Sequence, residues 1–259
     1  MAPPFALPED VVEFIGRVFA QCNARIASRL SYLPTLHETH LDLCFIETLS
    51  GVAAPHVTSS GYIIDVDVHY LGQGRHWESW EVADLGFIVT YRRAGTLLRT
   101  KVALLQSKRL YPRESEFVED EPISKYRGFA DLHGPPDLPA QEPREFRFDA
   151  SCRYRALQVG DDQWHAIGAY EAYYGIPVHY LLYHPRSLPS SQIIPVPAGQ
   201  RRGVGRPAVG CRILRATDLR ATATGWARNY APSYGDFRSA LGNTYGNGPH
   251  RVAGLRSKS

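Results

Sequence analysis

The chain has 259 residues with 29 basic and 26 acidic side chains, a net charge of +3 and 44% hydrophobic content. That is enough apolar material for one buried core, with or without an appendage, and it excludes a low-complexity or disordered chain. No run of about 18 apolar residues occurs, and the first ten residues, MAPPFALPED, lack the charged and apolar regions of a secretory signal, so neither a membrane span nor export is expected.

Residues 8–30 carry Val11, Phe14, Ile15, Val18 and Ile26 at helical spacing, with Glu9 and Asp10 at the positive end of the helix dipole. This predicts an N-terminal helical arm over 1–34, either a packing helix or an arm against a partner. A second helix is expected from about Thr35 to Leu49, between Pro34 and Gly51, with Leu36, Leu43, Ile46 and Leu49 as its stripe. Glu38 and Asp42 sit four apart on one face of it, a repulsive pair unless a cation or donor lies nearby, and two solvated carboxylates would look the same. Residues 61–70 read as a strand, with Ile64, Val66, Val68 and Tyr70 on one face and Asp65, Asp67 and His69 on the other. That second face reads as the wet side of an antiparallel strand, although Asp-x-Asp-x-His can also ligate a metal. The loop LGQGRHWESW follows.

Residues 81–112 read as two strands joined by a turn containing Gly95. Asp84 stands in apolar company on the first, and the second ends Val102-Ala103-Leu104-Leu105-Gln106-Ser107-Lys108. Alternation puts Gln106 and Lys108 on one face and turns Ser107 away. A carboxylate on one strand, with an oxygen donor and a lysine two apart on the next, is what metal-dependent phosphodiester cleavage requires. The oxygens hold a hard cation, and the lysine orients or activates water and offsets phosphate charge. Local pairing of Asp84, and a surface Lys108-Arg109 cluster, would account for the same letters.

Residues 113–150 contain ten acids and five prolines and read as a surface insertion. Residues 161–174 form a helix capped by Asp161 or Asp162 and stopped by Gly175, and residues 177–183 a short buried strand. Gln163, Trp164 and His165 could face the cleft, with a core-packed Trp164 and a surface His165 at least as expected. The tyrosines from Tyr154 to Tyr183 pack under the sheet by default, although some could stack on bases. The rest, 191–259, is a basic C-terminal extension that includes a short strand and helix in CRILRATDLRATATGWARNYA. Residues 201–259 hold 11 Lys or Arg and 2 acids, about +9, against about −6 for the first 200 residues. A basic segment beside an acidic body suits contact with nucleic acid, with Arg109, Arg201, Arg202 and Arg206 as candidate contacts, and it also serves plain solubility. The four cysteines are scattered without a CxxC pair, which argues against a zinc ribbon and for a reduced cytoplasm. No P-loop, GxSxG, HExxH or GxGxxG motif occurs.

Asp84, Gln106 and Lys108 resemble the motif of the PD-(D/E)xK nuclease superfamily, in the variant where Gln replaces the second acid, as in Mrr-type restriction enzymes. The likeness spans roughly residues 35–185, and the order helix, three strands, helix, strand matches that superfamily's common core. It implies an α/β restriction-endonuclease-like fold (α-β-β-β-α-β), a mixed central sheet flanked by helices, over 35–190. It also implies a Mg²⁺- or Mn²⁺-dependent DNA endonuclease in anti-phage defence or restriction. Asp84, Gln106 and the Ser107 backbone carbonyl would hold the metal, Glu38 would join from the first core helix with Glu47 as second choice, and a sensor protein or self-association would complete the system. The alternative is a catalytically silent nuclease-like module that binds nucleic acid or a partner protein. An RNA substrate differs from the first reading only in what is cut.

Overall fold

The computed structural model describes residues 7–51, 55–71, 82–114, 144–194, 202–203 and 210–241. The loop 72–81, most of the acidic insertion and the C-terminal end lie outside the described residues, as do Arg201 and Arg206. The described elements are helices α1 (Glu9–Tyr32), α2 (Glu38–Ser50), α3 (Asp162–Tyr174), α4 (Ala216–Thr222) and α5 (Tyr234–Leu241). The strands are β1 (His56–Val57), β2 (Tyr62–Tyr70), β3 (Leu85–Arg93), β4 (Thr96–Arg109), β5 (Arg113–Glu114), β6 (Arg144–Phe148), β7 (Val178–Tyr183), β8 (Ser190–Ile194), β9 (Arg202–Gly203) and β10 (Cys211–Arg215).

A six-stranded mixed sheet runs in the order β1-β2-β3-β4-β7-β10. Strands β1 to β4 pair antiparallel, β7 lies parallel to β4, and β10 returns antiparallel on β7. The β3–β4 turn places Ala94 and Gly95 both at positive φ (48° and 78°), the hand that matches the twist of a tight hairpin and that Gly95 adopts without strain. The expected elements are all present, within four residues at their ends. Asp161 caps α3 by accepting a hydrogen bond from Trp164 N at 2.7 Å, as its position before the helix predicts.

Alternation along the strands builds two cores, one on each face. On one face Ile64, Phe87, Leu105 and Leu181 meet Phe14, Ile26, Leu41 and Phe45 from α1 and α2. On the other, Val178, Tyr180, Leu182 and Leu214 meet Ile167, Leu219 and Phe237 from α3, α4 and α5. Helix α1 is therefore a packing helix of the main core, the first of its two expected roles, and no separate arm. Six of its buried residues, Val11, Phe14, Val18, Cys22, Ile26 and Leu30, form one stripe. The expected C-terminal extension is likewise integral through residue 237, because β10 closes the sheet and Phe237 is 1% exposed. Gly210 marks where α1 comes closest: a Cβ there would stand 2.4 Å from the Ala27 Cβ. Strands β5, β6, β8 and β9 form a second small sheet. The margins of the expected surface insertion are thus structured, and Phe146 and Phe148 on β6 are buried.

The feature that positions the site is a fork. The β3–β4 ladder stops at Leu85 opposite Leu105, while β4 runs on through Gln106–Arg109 paired with β7. Asp84 stands at that end, its amide donating to the Leu105 carbonyl at 2.9 Å.

Candidate active site

Gln106 Nε2 donates to Asp84 Oδ2 across the fork. The same oxygen accepts from Ser107 N at 2.8 Å and lies 2.9 Å from Ser107 Oγ. Strand alternation does turn Ser107 away from Gln106 and Lys108, and that direction is toward α2, whose carboxylates complete the cluster. Ser107 Oγ also stands 2.9 Å from Asp42 Oδ2, and Tyr183 OH donates to Asp42 Oδ1 at 2.6 Å. From the first turn of α2, Glu38 Oε1 lies 3.8 Å from Lys108 Nζ. The expected residues Asp84, Gln106, Lys108 and Glu38 are therefore brought together by three segments distant in sequence. Glu47 is not among them: it points outward, 69% exposed, 3.9 Å from Arg25.

The cluster is buried for its charge. Asp42 is 2% exposed, Gln106 3%, Ser107 0% and Lys108 5%. Burial pushes the Glu38 carboxyl up to about 7, against the opposing pull of Lys108 and with a further push from Asp84. Burial likewise raises Asp42 to about 7, with hydrogen bonds from Tyr183 and Ser107 opposing it and the Asp84 charge adding to it. The Ser107 hydroxyl has one hydrogen and two carboxylate neighbours. It serves both only when one carboxyl carries a proton, and Asp42 near and below neutral pH is the group able to carry it.

Three carboxylates, an amide and a backbone carbonyl are hard oxygen donors. The donor set therefore fits Mg²⁺ or Mn²⁺. Among the described residues, however, no three His, Cys, Asp or Glu side chains stand in a ready metal-binding group. Gln106 presents its nitrogen to Asp84, so its carbonyl oxygen reaches a shared cation only after the amide turns over. Asp67 and His69 on β2 are exposed, as the wet face of that strand should be.

Arg109 departs from the role expected of it. It is 3% exposed, its guanidinium donates to the Pro34 carbonyl and lies 4.6 Å from the Tyr111 ring centre, so it braces the start of α2. Arg202 lies on β9. Sequence reasoning assigned no functional role to Asp42 or the Ser107 side chain. The signal for Asp42 was its place four residues after Glu38. Tyr183 was read with its neighbouring tyrosines as core packing or a base contact, and its hydroxyl instead holds Asp42.

Among the described residues all four cysteines are free and buried, and no helix is long and apolar enough to cross a membrane. No protein-family model, curated protein or solved structure matches the chain.

Proposed function

We propose that this protein is a Mg²⁺- or Mn²⁺-dependent nuclease that hydrolyses DNA, built on a restriction-endonuclease-like core and acting in restriction or anti-phage defence. The observation that carries the reading is the meeting of Asp84, Gln106, Lys108 and Glu38 at the fork of β3 and β4. The order α2-β2-β3-β4-α3-β7, with β7 parallel to β4, supports the fold assignment.

Asp84, Glu38, the Gln106 side-chain carbonyl and the Ser107 backbone carbonyl would hold the ion, which when bound polarises a phosphoryl oxygen and acidifies a water. Lys108 Nζ offsets the charge that grows on the phosphate and orients the water, and Glu38 holds that amine in place. The Ser107 hydroxyl fixes Asp84, and Asp42 with Tyr183 fixes the hydroxyl. Hydrolysis joins a water oxygen to phosphorus and breaks one bond from phosphorus to a sugar oxygen.

A silent nuclease-like module that binds nucleic acid or a partner protein is the second reading. The Gln106–Asp84 hydrogen bond favours it, because that bond satisfies the site without a cation. Thermal melting against Mg²⁺ and Mn²⁺ separates the two. A nuclease should gain several degrees in Tm at millimolar metal, a gain that Asp84→Ala abolishes. A melting temperature indifferent to both metals would count against the nuclease.

A further inference from the structure

Just past the candidate site the surface reverses its charge. The chain leaves β4 through Leu110 and Tyr111, and Tyr111 N donates to the Arg153 carbonyl at 3.1 Å, which lays residues 151–155 alongside. In that segment Cys152 and Tyr154 are buried (3% and 0% exposed), while Arg153 and Arg155 are exposed. Arg153 pairs with Ser233 in an isolated bridge, and Arg155 opens the turn that the Leu157 N–H closes on the Tyr154 carbonyl at 2.9 Å, so both side chains project to solvent beside Tyr111.

Each arginine is held. Arg153 Nη1 donates to the Ala231 carbonyl at 2.9 Å and its guanidinium lies 5.1 Å from the Tyr230 ring centre. Arg155 lies 5.7 Å from the Tyr111 ring centre. Arg113 joins them with a side chain 64% exposed, and its pairing with Asp149 at 3.9 Å is the kind of surface contact that yields readily to a stronger anion. Tyr111, Arg113, Ser151, Arg153 and Arg155 line one cleft of about 210 Å³. That is below the ~300–1,000 Å³ of pockets that enclose a free small molecule, and it suits a backbone phosphate better than a free nucleotide.

We infer that Tyr111, Arg113, Arg153 and Arg155 form a phosphate cradle that grips the DNA backbone beside the bond to be cut. Tyr111 follows Lys108 by three residues, at most about 10 Å of chain, so the gripped phosphate lies within a few nucleotides of the scissile one. The cradle also answers an electrostatic need. The site sets Glu38, Asp42 and Asp84 beside Lys108 in a buried position that draws no polyanion from a distance, so attraction has to come from its rim. The placement of the scissile bond rests on the nuclease reading; the binding of DNA by the cradle does not.

The test is fluorescence anisotropy of a labelled 20-base-pair duplex in EDTA, where nothing is cut, over 50–300 mM NaCl. Arg153→Gln/Arg155→Gln, Arg155→Gln and Arg155→Lys are compared with the unaltered chain. The double variant should bind about tenfold more weakly or worse, and the slope of log K against log salt should shrink by about 2, one phosphate contact per arginine. Arg155→Lys should keep its slope, and Arg155→Gln should lose about 1 from it while leaving the Tm unchanged. Unchanged affinity and slope in both Gln variants, or equal losses in Arg155→Lys and Arg155→Gln, would overturn the cradle. Metal-dependent cutting of plasmid by variants that bind like the parent would sink the cradle and keep the nuclease. Lost salt slope in a chain that never cuts would do the reverse.

Discussion

Lys108 and Arg113 stand five residues apart on one stretch of chain, yet they live under opposite physical rules. Lys108 is 5% exposed and set against Glu38, whose carboxyl burial pushes up to about 7, as it does that of nearby Asp42. Arg113, Arg153 and Arg155 sit at the surface, where water screens them and pairing with Asp149 contributes little. Inside, removing one partner leaves another stranded, so each group matters to its neighbours. Outside, charges act singly and yield to salt, and what the fold supplies is their outward placement, through the buried Cys152 and Tyr154 between them. The inner region is built for chemistry on one phosphate, and the outer one for attraction to many.

That contrast predicts graded failures. Lys108→Ala should lower cutting by about 10²-fold or more, and lower salt should not restore it. Arg155→Gln should lower cutting by about tenfold at most and recover as salt falls; kinetics at two ionic strengths compare them. Equal salt rescue of both would erase the distinction.

Next comes Ser107→Ala, which removes the hydroxyl that Asp42 and Asp84 share. We expect a stability loss of about 1–3 kcal/mol in urea titration, with cutting down about tenfold. A variant as stable and active as the parent would show that the hydroxyl does not position Asp84.

The pH response is subtler. Glu38 and Asp42 titrate near 7 in the folded chain and near 4 when unfolded. Between those values the folded state binds more protons, so stability in EDTA should fall as pH rises from about 4 through 7. Asp42→Asn should flatten that fall, measured as Tm from pH 5 to 8, and added Mn²⁺ should oppose it. The smallest effect is expected from Asp161→Ala, which removes the cap of α3 on the far face of the sheet. It should cost about 1 kcal/mol and leave cutting per folded molecule unchanged.

Much of this was legible in the sequence because it rests on local periodicity. The stripe of α1, the alternation of β2 and the Asp161–Gly175 brackets of α3 each specify their own element. Asp84, Gln106 and Lys108 could be paired because a hairpin turn at Gly95 fixes which residues face each other. Pairings without a local rule were missed. Nothing near Tyr183 signals that its hydroxyl meets Asp42, 141 residues away. The pairing of β10 with β7 joins residues about 30 apart, and the Gly210 that precedes it lies so close to Ala27 of α1 that a Cβ there would clash, a contact no local pattern announces. Arg109 looked like a surface cation because it follows Lys108, and only the close approach of Pro34 and Tyr111 explains its burial. The Arg153–Arg155 alternation was readable as a pattern, but its neighbour Tyr111 was not.

The central claim is that the fork cluster cuts DNA, and the most direct measurement is conversion of supercoiled plasmid by the purified chain with Mg²⁺ or Mn²⁺, beside Asp84→Ala. The account predicts nicked and linear products that require the metal and vanish in the variant. Plasmid left supercoiled with either metal, while DNA still binds equally to both proteins, would contradict it and favour a silent binding module.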